Sequence, residues 1–121
     1  MKVVRVKEVA KQGLVSDWFT GPVNQQPLFG KHNSGTNFNV SKVNYPKGVK
    51  INAHVHNTEQ LIIVLSGTGI AANEREQVLL KPGDVALFEP GEKHWHAATD
   101  EADMSHLSIT LIETTTKFTG A

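Results

Sequence analysis

Gly48-Val-Lys-Ile51-Asn-Ala-His54-Val-His56-Asn-Thr-Glu59-Gln60-Leu-Ile-Ile-Val-Leu65-Ser-Gly67-Thr-Gly69 sets two imidazoles in alternate positions of a glycine-bounded stretch. On a strand, residues of equal parity leave the backbone on the same side, so His54 and His56 share a face. Neutral imidazole is the commonest side-chain ligand for divalent metals, and this pair is a reasonable start on such a site. Gln60 follows in the same even register. Its neighbour Glu59 is a rival by chemistry, because a carboxylate binds hard cations better than an amide oxygen, and the intervening Asn57-Thr58 turn weakens the parity argument.

Working outward, a second stretch reads Gly83-Asp-Val-Ala-Leu-Phe-Glu89-Pro90-Gly91-Glu-Lys-His94-Trp95-His96. Its glycines and proline make a tight turn that opens the strand carrying His94. His54, His56, Gln60 and His94 then form a four-donor set gathered from two separated hairpins. His96 shares the parity of His94. Both His96 and His106 are expected beside the same cavity, with ordinary imidazole pKa values near 6.5. His32, in the polar run Lys31 to Gly35, reads as a surface residue.

The 121 residues are enough for one domain with a real core. Twelve basic and twelve acidic residues cancel, which leaves no electrostatic footprint for nucleic acid or an anionic membrane. Cysteine is absent, so a metal would be held by nitrogen and oxygen. Charge interrupts the apolar positions of Met1 to Glu8, unlike a secretory signal. No run approaches the roughly 20 apolar residues of a membrane span. A cytoplasmic protein is the expectation.

Residues 1–35 read as a strand-and-loop arm packed on a barrel formed by 36–121. Val3 to Val6 suits a strand, and Val6 to Gly13 suits one or two helical turns. Trp18 and Phe19, in the turn-rich run Asp17 to Pro22, are expected to lie as a lid over apolar surface, and Pro27 to Gly30 suits a short strand. From Thr36 the pattern is short strands between turn signals, an all-β signature. Strands are predicted at 38–45, 51–56, 59–65, 68–73, 77–80, 84–88, 95–98 and 104–113. Leu61 to Leu65 is apolar on both faces, so each face should be covered. In the last long strand, His106, Ser108 and Thr110 alternate with Leu107, Ile109 and Leu111. The polar side is expected to look into a cavity, together with Ser41, Val43 and Ile51. The apolar side should be covered by the N-terminal segment or by a second copy in a homodimer.

Glycine, five residues, His-x-His, three residues, a carboxylate or amide, six residues and glycine, followed later by glycine and Pro-Gly-x-x-His, resembles the two signature motifs of the cupin superfamily. The match runs from Gly48 to about Ala98. It implies a single-domain jelly-roll barrel, the double-stranded β-helix. Departures are Gln60 where many cupins carry glutamate, Glu89 in place of a proline, and Ala98 where asparagine is frequent. An uncharged ligand leaves the full charge on the ion and makes a stronger Lewis acid.

A narrower resemblance covers Asp17 to Ile109. The run from Asp17 to Gly21, Pro27-Leu28-Phe29, the segment Pro90 to His96 and Met104-Ser105-His106-Leu107 are similar to small bacterial cupins. These include manganese-dependent hydroxynitrile lyases and carboxymuconolactone-decarboxylase-associated cupins. The resemblance implies metal ligands at His54, His56, Gln60 and His94, with His96 and His106 catalytic beside a small-molecule substrate. It implies manganese first, with iron, nickel and zinc as alternatives. Ala97 and Thr110 depart from this group, which has glycine and glutamine there. The activity expected is that of a metal-dependent lyase with a histidine base; the alternatives are a metal-dependent dioxygenase and a non-catalytic binding module stapled by its metal.

Overall fold

The structure, a computed structural model, describes residues 1–14, 16–31 and 36–119. Val15, His32 to Gly35, Gly120 and Ala121 lie outside the described residues, and with them the surface placement expected for His32.

Short strands rich in alternating apolar and polar residues pair into two antiparallel sheets that face each other across the core. The first contains β1 (Gln12–Gly13), β2 (Asn24–Phe29), β3 (Phe38–Tyr45), β5 (Gln60–Ser66), β8 (Val85–Phe88) and β10 (Met104–Leu111), in the order β1-β2-β3-β10-β5-β8. The second contains β4 (His54–His56), β6 (Gly69–Asn73), β7 (Gln77–Leu80), β9 (His94–Ala98) and β11 (Thr116–Phe118), in the order β11-β4-β9-β6-β7. This is the jelly-roll arrangement expected from the sequence. Among the described residues no helix is long and apolar enough to cross a membrane.

One end of the space between the sheets is a hydrophobic plug. Val43 and Tyr45 of β3, Ile62 and Val64 of β5, Phe88 of β8, Leu80 of β7 and Met104 of β10 meet there. Phe19 and Val23 join them from the N-terminal segment, so Phe19 covers apolar surface as its turn-rich setting suggested. The period of two is visible in β5, where Ile62 and Val64 are each 1% exposed and alternate with half-buried Leu61 and Ile63. In β10 it places His106, fully buried, on the inside with Ser108 and Thr110, as expected.

Register explains the differences from the predicted strands. The strand expected from Ile51 starts at His54, because Lys50 and Ile51 make isolated bridges to Ala97 and Phe19. Before it, β2 begins at Asn24, earlier than the proline-centred reading of its sequence, and its register slips between Pro27 and Phe29, where proline has no N–H to give. At the N-terminus the chain makes a 3₁₀ turn at Val6–Glu8 and then β1. The Gln26 side-chain amide donates to the carbonyls of Val6 and Val9, each at 3.1 Å, and ties that segment to the outer side of β2.

The β5–β6 turn makes a testable demand. Gly67 has φ +73°, and a Cβ there would sit 1.8 Å from the Asp103 carbonyl oxygen, whereas Gly83, φ +92°, has open space around it. Gly83→Ala should cost only the ~1–2 kcal/mol of left-handed strain, and Gly67→Ala clearly more. Urea denaturation compares them; equal midpoints would contradict the close packing of this turn.

Candidate metal centre

The even register of β4 turns His54 and His56 inward, and antiparallel pairing sets His94 of β9 directly opposite His54. The three residues are 1%, 8% and 0% exposed, and their ligating atoms lie within 4.8 Å of one another. Gln60, the first residue of β5, brings its side chain in from the other sheet and is buried, while Glu59 is exposed. The structure thus joins all four members of the expected donor set and leaves the rival carboxylate outside.

Backbone carbonyls determine which nitrogen each ring offers. The His54 Nδ1–H donates to the Asn52 carbonyl at 2.7 Å, and the His94 Nδ1–H donates to the Glu92 carbonyl at 2.8 Å. A carbonyl oxygen only accepts, so in both neutral rings Nε2 carries a free lone pair. His56 Nδ1 is 2.9 Å from the Thr116 hydroxyl. On the other side, the Gln60 amide donates to Ser108 Oγ at 2.9 Å and turns Oε1 to within 2.9 Å of His56 Nε2 and 3.2 Å of His94 Nε2.

Two lone-pair atoms therefore confront each other at His94 Nε2 and Gln60 Oε1, and a proton or a cation between them relieves the repulsion. Burial lowers the His94 pKa, with the Glu92 carbonyl opposing and a charge on His56 reinforcing the shift, so the proton is disfavoured. A divalent cation fits the donors: imidazole nitrogens and an amide oxygen, with the outer ring nitrogens held by backbone carbonyls and the Thr116 hydroxyl, which orient the rings. Burial also lowers His56 and takes His54 down to about 4, where a charge on His94 or His56 adds to desolvation. Phe88 stacks on the His94 ring at 4.0 Å between centroids.

A cavity of about 400 Å³ opens beside this cluster. Val43, Ile51 and Thr110 line it, and Ser41 lines an adjoining lobe that shares Val43 and Thr110. His96 and His106 are both in its wall, 5.2 Å apart by ring centroid. Their pKa values are not the ordinary ones expected. Burial lowers His96 well below its usual value, and it takes His106 down to about 4 while nearby backbone groups only partly offset it. His96 Nε2 and both His106 nitrogens have no hydrogen-bond partner among the described residues.

Sequence reasoning missed four contributors. Tyr45 has its hydroxyl 3.2 Å from His96 Nδ1, and its shared parity with Val43 was the available signal. Ser108 was placed on the inner face but not as the partner of Gln60. Thr116 and Phe118 belong to β11, too short to show a period. The Phe118 ring lies 5.1 Å from Trp18 and 5.4 Å from His54, so the two aromatics roof the centre from opposite ends of the chain.

The sequence matches the cupin domain family over residues 41–110, more than half of the chain. The chain belongs to the cupin family. Among proteins of assigned function, this cupin is 39% identical over 110 residues to the (R)-mandelonitrile lyase of Granulicella tundricola, covering 90% of this chain and 83% of the relative. It is 27% identical over 96 residues to the oxalate-binding protein of Thermotoga maritima, covering 76% and 78%. Among solved structures, a cupin-like protein from Thermotoga maritima superposes with a TM-score of 0.83 at 28% identity, over 90% of this chain and 84% of that one. The buried histidine cluster is of the kind typical of cupin metal sites.

The lowered histidines make acid stability predictable. His54 and His106 titrate near 4 when folded, against 6.5 in the unfolded chain. Between those values the unfolded state binds protons that the folded state refuses. Metal-free protein should hold its full stability above 6.5 and lose it progressively down to about 4. Urea midpoints across that range check this; a flat profile would contradict the burial of these rings.

Proposed function

We infer that this cupin is a metal-dependent lyase acting on small hydroxy compounds, in the manner of a hydroxynitrile lyase. The observation that carries the reading is the pair of buried imidazoles, His96 and His106, that line one cavity beside a converging donor set. The named mandelonitrile lyase relative supports it. His54, His56, Gln60 and His94 hold the ion, manganese first, with iron, nickel or zinc as substitutes. When bound, that ion supplies Lewis acidity toward the substrate oxygen.

The chain's own residues do the rest. A neutral imidazole in this wall can accept a proton through a free lone pair and has no charge to give one. For a cyanohydrin, one ring takes the hydroxyl proton as the carbon–carbon bond to the nitrile breaks. Its electron pair leaves on cyanide, the carbon becomes an aldehyde, and the same proton then neutralises the cyanide. Trp18 and Phe118 screen the centre, and Ser41, Val43, Ile51 and Thr110 shape the space for the remainder of the substrate.

A homodimer accompanies this reading. Val40, Ile109, Leu61 and Leu87 lie in register across the outer side of the first sheet. Phe38, Val85 and Leu87 there are half or more exposed, at 50%, 57% and 55%. The N-terminal segment is tied to the β2 end, and a second copy would cover the exposed apolar side chains. Light scattering at micromolar concentration should return twice the chain mass; a monodisperse monomer would rule this out.

The catalytic test is cleavage of mandelonitrile by manganese-loaded protein. Wild type should release benzaldehyde and cyanide, and His106→Ala and His96→Ala should each lower kcat on the order of 10²-fold or more. A binding module, the reading favoured by the oxalate-binding relative, would instead hold a small acid with no turnover under any of the four metals. That outcome would end the lyase assignment.

A further inference from the structure

Tyr45 stands at the end of β3, 2% exposed, with its ring edge-on to Phe19 at 6.0 Å and tilted against His106 at 5.4 Å. Its hydroxyl meets one acceptor among the described residues, His96 Nδ1 at 3.2 Å. The polarity of that bond follows from the strengths of the two groups: a phenol O–H is a better donor than a neutral imidazole N–H, and an imidazole lone pair is a better acceptor than a phenol oxygen. With the phenol donating, its hydrogen has an acceptor and the ring's own hydrogen is left on Nε2. The phenol keeps its proton in this setting, because burial pushes its pKa up.

A neutral imidazole whose Nδ1 accepts must carry its hydrogen on Nε2. His96 Nε2 is the nitrogen left without a partner among the described residues, on a ring that lines the cavity. His106 differs, since neither of its nitrogens has a hydrogen-bond partner among the described residues to fix its tautomer. Three of the histidines around this centre thus have their tautomers set by different means. Carbonyls hold His54 and His94 with Nε2 bare, and a phenol holds His96 with Nε2 protonated.

We propose that Tyr45 is a positioning residue that locks His96 as a hydrogen-bond donor to the substrate, leaving His106 as the imidazole that accepts the proton. This assignment rests on the lyase reading for its catalytic meaning but not for its structural content. In a cyanohydrin cleavage, the hydroxyl proton goes to a His106 nitrogen while the His96 Nε2–H steadies the departing cyanide. The bond to the nitrile carbon breaks with its electron pair on cyanide, and His106 returns the proton to it, so no external reagent is consumed.

The test reads the tautomer directly, by long-range proton–nitrogen correlation spectra of isotope-labelled histidines in metal-free and zinc-loaded protein. The His96 signals are assigned by their loss in His96→Gln. Wild type should show Nε2 protonated and Nδ1 bare, and Tyr45→Phe should relax His96 into a mixture of tautomers. In the manganese-loaded enzyme, Tyr45→Phe should lower kcat about tenfold, as expected for one lost hydrogen bond, with KM little changed. A wild-type His96 protonated at Nδ1, or a spectrum unmoved by Tyr45→Phe, would overturn the proposal. Should Tyr45→Phe fail to fold, the wild-type spectrum alone decides. If the tautomer is as stated and wild type leaves mandelonitrile intact, the lyase reading falls while Tyr45 keeps its place as the group that aims a donor into the cavity.

Discussion

Two backbone carbonyls, those of Asn52 and Glu92, govern the centre of this protein. Each takes the Nδ1 hydrogen of the histidine two residues further on and so bares the opposite nitrogen. Both bonds are local, made within a short stretch of chain, yet the bared atoms belong to strands that meet only when the second sheet has formed. The result is a knot of unsatisfied lone pairs in a region where charge is costly. At His94 Nε2 and Gln60 Oε1 the fold sets two acceptors against each other, with the His54 lone pair beside them, and this imbalance favours a cation.

The two sheets contribute unequally. His54, His56 and His94 come from the second, and Gln60 and its partner Ser108 from the first. A group bound among them would bridge the two layers, next to the apolar cluster, whose Phe88 stacks on His94. The amide of Gln60 has one useful orientation there, and the Ser108 hydroxyl selects it. His96 and His106 lie between plug and centre, wrapped by Tyr45 and Phe88, which accounts for their suppressed basicity.

Much of this was legible in the amino-acid order because it depends on parity and on turns. Alternation located β3 and β7 to the residue and β10 to within two residues at its end, and the even register brought His54, His56 and Gln60 to one side. Turn glycines at 48, 67, 83 and 91 adopt the positive φ that their setting demands. Other features were not legible, for stated reasons. Three residues of β11 are too few to show a period, and their pairing with β4 is a tertiary choice. The pKa of a buried histidine depends on what surrounds it, which no local pattern of residues displays. The Tyr45–His96 contact spans 51 positions of chain, beyond any motif spacing.

The measurement that bears most directly on the account is calorimetric titration of metal-free protein with manganese, alongside His54→Ala and a folded control variant at exposed Glu59. One ion per chain should bind wild type and the Glu59 variant alike, with proton release near zero at neutral pH because the imidazoles start uncharged, and His54→Ala should bind orders of magnitude more weakly. Equal binding by all three proteins, or none by wild type, would contradict the claim that these converging lone pairs form a metal site.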